Sequence, residues 1–120
     1  MFLTGTTNIQ AGNGENFILD YDALAALAGT IDPYFAEKGV FKEVLCLYQE
    51  QSFVGSAPQR KSLNYKNGAT TSQMIFSVKA NAGTWILKEV LIQDKDGGSL
   101  IINNSQIPDL ASYELYITSV

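Results

Sequence analysis

Two aspartates near the end of a β-like stretch have the spacing that could bind a cation. Asp94-x-Asp96-Gly97 resembles the start of a calcium loop, where alternating carboxylates present oxygens to a hard cation. An EF-hand loop also needs further ligands at set spacing and a closing Glu, which the sequence lacks. We therefore interpret these residues as a hairpin turn, in which Gly97 and Gly98 can take the positive φ that hairpin loops require. The sequence predicts no metal site and no cofactor.

The residue types give little support for acid–base or nucleophilic catalysis. The chain contains no histidine, so Ser-His and Cys-His pairs and imidazole acid–base catalysis are excluded. The single cysteine, Cys46, lies in an apolar segment and is predicted to be a buried structural residue. Asp20 and Asp22 are close in sequence, but nothing else in the pattern indicates a glycosidase pair. We predict that the protein is not an enzyme.

Aromatic side chains offer a different kind of chemistry, because their faces can stack on sugar rings. Trp85 is the only tryptophan, and four tyrosines could assist it in such stacking: Tyr34, Tyr48, Tyr65 and Tyr113. A lone Trp on the apolar face of a strand is more often part of the core. We therefore predict a core position for Trp85.

Composition excludes several classes of partner. The chain has 120 residues and a formal net charge of −4, and its eight Lys and Arg residues are scattered without a run. That distribution is unlike the basic patch that binds nucleic acid or an anionic membrane. No apolar run reaches the roughly 18 residues of a membrane span, so no membrane insertion is expected. The N-terminus lacks the basic and apolar regions of a signal peptide.

The stretch Gly83 to Ile102 is the strongest structural signal in the chain. Trp85 and Leu87 share one face of a strand, and Val90 and Ile92 share another. One extra residue near Lys88-Glu89, forming a β-bulge, would bring all four side chains to the same side. The stretch is therefore predicted to be a bulged hairpin strand at the centre of the core.

The remaining chain is predicted to be mostly β, after a short helical region. Asp22 to Ala28, capped by Asp22, and a turn from Asp32-Pro33 to Gly39 predict one or two short helices. Strands are predicted at Asn16–Tyr21, Val40–Gln49, Lys61–Lys66 and Ser72–Lys79, with a closing strand that contains Tyr113, Leu115 and Ile117.

These elements indicate an all-β fold, an antiparallel β-sandwich of jelly-roll-like or immunoglobulin-like type. No long helix returns the chain between strands, so parallel pairing is not expected. Residues 1–15 are predicted to be a connector or exposed N-terminal segment, and residues 16–120 a single sandwich domain.

Alternate loops of an antiparallel sandwich lie at the same end, and loop clusters often carry binding sites. One end is expected to collect residues 50–60, 80–83 and 104–109, which are rich in side chains suited to bonding hydroxyl groups. The candidate ligand-binding residues are Gln51, Ser52, Arg60, Asn81, Asn104 and Gln106.

The run from Gly83 to Gly98 resembles bacterial extracellular β-sandwich modules. Its pattern is a Gly, an aromatic residue, alternating aliphatic residues, then an Asp and a Gly-containing turn. Ile107-Pro108-Asp109, leading to Tyr113-Glu114-Leu115, is similar to the last loop and strand of fibre-tip adhesin domains. Such domains occur in predatory bacteria and in phage-like tail fibres, and the resemblance covers roughly residues 38–120.

This resemblance implies a non-enzymatic recognition module at the tip of a trimeric surface fibre or adhesin. Its expected ligand is a cell-surface glycan or an envelope component of a target cell. The expected location is extracellular or at the cell surface, as a fragment of a longer exported protein, with a homotrimer as the assembly. The alternative is a structural or oligomerisation module of a fibre without a ligand of its own.

Overall fold

The computed structural model describes residues 1–51, 59–77 and 82–118, apart from the side chain of residue 38. Over these residues the chain forms strands that are joined by short turns and one helical region. In chain order the strands are β1 (Leu3–Gly5), β2 (Asn8–Gln10), β3 (Gly14–Leu19), β4 (Phe41–Glu50), β5 (Arg60–Lys66), β6 (Thr71–Ile75), β7 (Gly83–Asp94), β8 (Ser99–Asn103) and β9 (Glu114–Thr118).

The strands form two sheets that pack as a compact sandwich. The smaller sheet has the order β1-β3-β6, and the larger one has the order β2-β9-β7-β4-β5, with β8 also paired to β7. The predicted all-β, sandwich-like fold is thus confirmed. The facing sides of the sheets and the helical region enclose one apolar core.

Pairing is antiparallel except between β2 and β9, where Asn8 pairs with Tyr116 and Gln10 with Thr118. The expectation that no parallel pair would form was wrong. It was based on the long crossover connection that parallel strands need when they follow each other in the chain. Strands β2 and β9 lie near opposite ends of the chain, so all the elements between them provide that connection.

Residues 1–15 supply two complete strands and the start of a third, instead of the connector or exposed segment predicted there. β1 pairs with β3 in the small sheet and β2 with β9 in the large one, so the chain crosses between sheets after Gly5. Phe2, Leu3 and Ile9 are buried in the core. Strands of three residues are too short to display the alternation by which sequence reveals a strand.

One α-helix, α1 (Tyr21–Ile31), follows β3 and buries Leu24, Ala25 and Ala28. Its N-cap is Asp20 instead of the predicted Asp22, because one carboxylate oxygen of Asp20 accepts hydrogen bonds of 3.1 Å from two backbone amides of the first turn.

Three short 3-10 helices also occur among the described residues: Pro33–Ala36, Lys38–Val40 and Leu110–Ser112. Asp32 caps the first of them, and Pro33 stands at its start as predicted. Within the described ranges, no helix is long and apolar enough to cross a membrane.

The predicted bulge in β7 is confirmed. In the pairing of β4 with β7, Leu47 lies opposite Glu89 and Tyr48 opposite Leu87, so Lys88 is the extra residue. Trp85, Leu87, Val90 and Ile92 all have 0% of their surface exposed. The bulge therefore restores a single apolar face along the whole strand.

Strand β4 is central in the large sheet, since it lies between β5 and β7, and it carries apolar side chains on both faces. Val44, Cys46 and Tyr48 point into the core, while Leu45 and Leu47 are half-buried on the outer face. This arrangement brings the hydroxyl end of Tyr48 to the gap between the sheets.

Candidate ligand-binding site

Two of the predicted ligand residues lie at one end of the large sheet. Gln49 pairs with Arg60, and the backbone amide of Gln51 donates to the Thr84 carbonyl at 2.8 Å. The end of β4 and the starts of β5 and β7 thus meet, and the side chains of Gln51 and Arg60 are exposed. Ser52 and Asn81, which were predicted to join them, lie outside the described residues.

Asn104 and Gln106 lie in a different place. β8 ends with Asn103 opposite Glu89, and β9 begins with Glu114 opposite Ile86. Both strands pair with the same edge of β7, one after the other along its length. The segment that connects β8 to β9 therefore begins and ends beside the middle of β7. Glu89 is six residues from the Gly83 end of β7, about 20 Å along the strand. The strand register therefore separates the loops that the sequence placed together.

The side chain of Gln106 is also engaged locally. Its carbonyl oxygen accepts hydrogen bonds from the Asn103 amide at 3.0 Å and from the Ser105 hydroxyl at 3.3 Å. These contacts close the turn after β8. Asn104 is exposed, and it is not brought to Gln51 or Arg60.

The aspartate turn serves the hairpin between β7 and β8. One carboxylate oxygen of Asp94 accepts hydrogen bonds from the amides of Asp96, at 2.9 Å, and Gly98, at 2.6 Å. Burial raises the pKa of Asp94, but hydrogen bonds from Tyr34 and from the turn amides outweigh it and hold that pKa below its usual value. Among the described residues, no three acidic or cysteine side chains are grouped as metal ligands. The interpretation as a hairpin turn is confirmed, with a positive φ at Gly97 (90°) but not at Gly98.

Trp85 and Cys46 are core residues, as predicted. The Trp85 ring is fully buried and meets Phe76 edge to face, with 5.7 Å between the ring centroids. Burial raises the pKa of the Cys46 thiol to about 12, so the thiol is neutral at physiological pH. Asp20, considered for a carboxylate pair, caps α1. None of these groups faces a ligand.

A pocket that the sequence did not predict opens between the two sheets. It lies where the chain crosses from β1 to β2, beside the start of β9, and its volume is about 160 Å³. Its lining combines apolar side chains with a few hydroxyls: Leu3, Thr4, Phe17, Tyr48, Tyr113 and Leu115 contribute, with Glu114 beside them. We call it the β1–β9 pocket.

Tyr48 gives the β1–β9 pocket its polar feature. Only 2% of the Tyr48 surface is exposed, yet its hydroxyl makes no hydrogen bond to another described residue. In the described structure, every side-chain oxygen that is fully sealed from solvent has a hydrogen-bond partner. Because the Tyr48 hydroxyl has none among the described residues, it must be accessible from the pocket. Burial, with smaller effects from Cys46, Tyr65 and Tyr113, raises the pKa of Tyr48 far above its usual value. The group is therefore a neutral O–H that can donate one bond and accept others.

Two of the neighbouring polar groups at the pocket are already paired. The Tyr113 hydroxyl accepts a hydrogen bond of 3.1 Å from the Phe2 amide. The Glu114 carboxylate accepts one of 2.5 Å from the Tyr116 hydroxyl, which lies on the surface. Tyr48 is thus the buried group of this lining that is left to bond a guest.

Sequence reasoning missed this pocket because two of its walls, β1 and the crossing after it, lie in the segment predicted as a connector. The one available signal was Tyr48, a side chain with a polar tip at an inward position of a central strand. In comparisons with known proteins, no family description, no curated protein and no solved structure matches this chain.

Proposed function

We propose that this chain is a non-enzymatic recognition module that holds a small apolar group of its ligand in the β1–β9 pocket. The observation that carries the proposal is the Tyr48 hydroxyl, which is buried in the pocket wall and has no hydrogen-bond partner among the described residues. This hydroxyl is open to the pocket and makes no bond within the described part of the protein, so a ligand acceptor placed there would receive a hydrogen bond from it.

The size and lining of the pocket define the chemistry of the guest. A volume of about 160 Å³ is close to that of an apolar cavity that accommodates benzene, about 150 Å³. Leu3, Phe17 and Leu115 offer apolar contact, and Tyr48 offers one hydrogen bond. The fitting guest is a ring or branched group of roughly six heavy atoms that carries one acceptor such as a carbonyl.

The resemblance to fibre-tip modules supplies the biological setting of the proposal. In that setting the guest is a substituent on a cell-surface glycan or another envelope component of a target cell. The module would be displayed extracellularly, at the tip of a surface fibre or adhesin. The same resemblance implies a homotrimer, and the mass of the chain in solution distinguishes it from the dimer that is argued below from the sheet edge.

The test compares two probes of nearly equal shape but different polarity. Isotope-labelled protein is titrated with methylenecyclohexane and with cyclohexanone, and the amide signals of Leu3, Thr4 and Leu115 are followed by NMR. In the Tyr48→Phe variant, cyclohexanone should bind about fivefold to tenfold more weakly, the value of one hydrogen bond. Methylenecyclohexane should bind this variant and the wild type equally. Tyr34→Phe, which removes an exposed hydroxyl elsewhere, is the matched control and should change neither affinity.

Two results would contradict the proposal. One is the absence of any shift at the pocket amides with either probe. The other is an equal loss of affinity for both probes in Tyr48→Phe, because such a loss would result from altered packing and not from a missing hydrogen bond. A glycan array then identifies the natural ligand. Thr4→Trp should block binding at the pocket mouth, whereas alanine at Gln51 and Arg60 should leave it intact.

A structural module without its own ligand is the second candidate, and one observation favours it. The outer face of the large sheet carries a row of apolar side chains, Leu45, Leu91 and Ile101, which lie side by side across three strands. Ile101 is 46% exposed. A chain that binds neither probe but associates with itself would fit this candidate.

A further inference from the structure

Strand β8 leaves one edge of the large sheet open. It pairs only with β7 in the described structure, and the Asp94 amide donates to the Gly98 carbonyl at 2.9 Å where the ladder begins. Backbone groups in an antiparallel strand alternate between its two sides. Gly98, Leu100 and Ile102 therefore direct their N–H and C=O groups toward β7, while Ser99 and Ile101 direct theirs away from it.

This open edge is short and has a defined end. The Asn103 amide donates to the Gln106 side chain at 3.0 Å, and the Asn103 carbonyl accepts from the amides of Gln106 and Ile107. Among the described residues no hydrogen bond joins the outer backbone groups of Ser99 or Ile101. The free edge thus consists of four groups, two donors and two acceptors.

The side chains of β8 do not protect the edge. Ser99–Asn103 contains no charged residue and no proline, which are the usual devices that stop edges from pairing. Strand β5, at the other side of the sheet, carries Arg60, Lys61 and Lys66 and would repel its own copy. Ile101 also ends the exposed apolar row that starts at Leu45.

We propose that β8 is a self-association edge, on which a second copy of this chain pairs its own β8 in antiparallel orientation. The register is centred on Leu100, so that Ser99 of each copy lies opposite Ile101 of the other. In this register the N–H and C=O groups of both residues exchange hydrogen bonds across the dyad. All four free groups of each copy are used, and the bonds that close the chain at Asn103 stay intact.

The pairing has further consequences for assembly. A two-fold axis closes on two copies, so the isolated chain is a dimer whose two large sheets form one continuous sheet. Across the dyad the two Ile101 side chains are diagonal neighbours on the outer face, so the apolar rows of the two copies approach each other there, and the two Leu100 side chains meet on the opposite face. The β1–β9 pocket contributes no residue to this edge, so the inference does not depend on the proposed ligand.

The first test is the mass of the chain as a function of concentration, measured by sedimentation equilibrium. The wild type should pass from monomer to dimer. Ile101→Pro removes an outward N–H and places a ring at the edge, while the bonds from β8 to β7 are kept. It should weaken dimerisation at least tenfold, and Ile101→Val should leave it unchanged. A wild-type chain that stays monomeric, or that forms trimers, overturns the inference.

The second test fixes the register and does not rely on the proline variant. Ser99→Cys and Ile101→Cys proteins, mixed and oxidised, should form a disulfide-linked heterodimer, since opposite residues lie about 5.5 Å apart between Cα atoms. Each variant alone should crosslink poorly, because identical residues lie diagonally, about 7–8 Å apart. Crosslinking of each variant with itself as readily as with the other contradicts the proposed register.

Discussion

The hydroxyl of Tyr65 donates a hydrogen bond of 2.9 Å to the backbone carbonyl of Phe17, and this contact joins the two sheets. Tyr65 lies on β5 of the large sheet and Phe17 on β3 of the small one, and both residues are buried. The donor and the acceptor are 48 positions apart in sequence. The bond therefore fixes how the sheets lie against each other at the side opposite β8.

Tyr65→Phe should lower the free energy of unfolding by about 1 kcal/mol, because it removes this bond and leaves a buried carbonyl with one partner fewer. Urea denaturation followed by tryptophan fluorescence measures the change. Tyr116→Phe is the control: its hydroxyl bonds Glu114 on the surface, so its removal should cost about 0.5 kcal/mol or less. Equal costs for the two changes would argue against a specific inter-sheet role of Tyr65.

Deletion of Lys88 should prevent cooperative folding. Without the bulge, the residues on one side of it shift by one position, which turns Trp85 and Leu87 out of the core or breaks the pairing beyond them. The loss of two buried large side chains amounts to roughly 4 kcal/mol or more, a large part of the stability of a small domain.

Lys88→Ala is the matched control for this deletion, because it keeps the residue count and removes only a half-buried side chain. Its effect should stay within about 0.5 kcal/mol. The cooperativity of thermal unfolding and the far-ultraviolet circular dichroism of both proteins provide the measurement. A deletion variant that melts like the wild type would show that β7 tolerates a change of register.

Acid should destabilise the protein in part through Asp94, whose folded pKa is held below its usual value. A carboxyl with a lowered folded pKa contributes stability that is complete above its unfolded pKa, about 4. The contribution is lost as the pH falls from there through the lower folded value. Asp94→Asn should keep the turn geometry but not this titration, so its stability should depend less on pH below about 4.

Denaturation curves from pH 2 to pH 6 test the role of Asp94. Asp109→Asn serves as the control, since no side-chain hydrogen bond to Asp109 caps its helix. Parallel pH profiles for the wild type and Asp94→Asn would contradict the assignment.

Gly68→Ala should cost about 1 kcal/mol of stability through backbone conformation alone. Asn67 and Gly68 have φ values of 54° and 83°, and a Cβ added at Gly68 would meet no atom within 4 Å. Gly39→Ala is the matched control, because its Cβ also meets nothing and its φ is not in the left-handed region. If both substitutions are neutral, the turn tolerates a side chain at φ above zero.

Local patterns predicted most of the strands correctly. Trp85, Leu87, Val90 and Ile92 could be placed on one face because two alternating pairs separated by three positions require one extra residue. Asn67-Gly68 is likewise a local turn signal, since both residues accept positive φ. The turn proves to carry the chain from β5 in one sheet to β6 in the other, which no local signal reports.

The amino-acid sequence by itself determined the β class, the central place of β4, the inward face of β7, the bulge near Lys88 and the buried state of Cys46. These features depend on side-chain alternation and hydrophobicity within a few residues. The tertiary structure alone decided that β1 and β2 belong to different sheets, and that β8 and β9 share one edge of β7. It thereby decided the β1–β9 pocket and the open edge at Ser99 and Ile101. Register and strand order depend on contacts between distant segments, where short strands gain their stability from partners rather than from their own sequence.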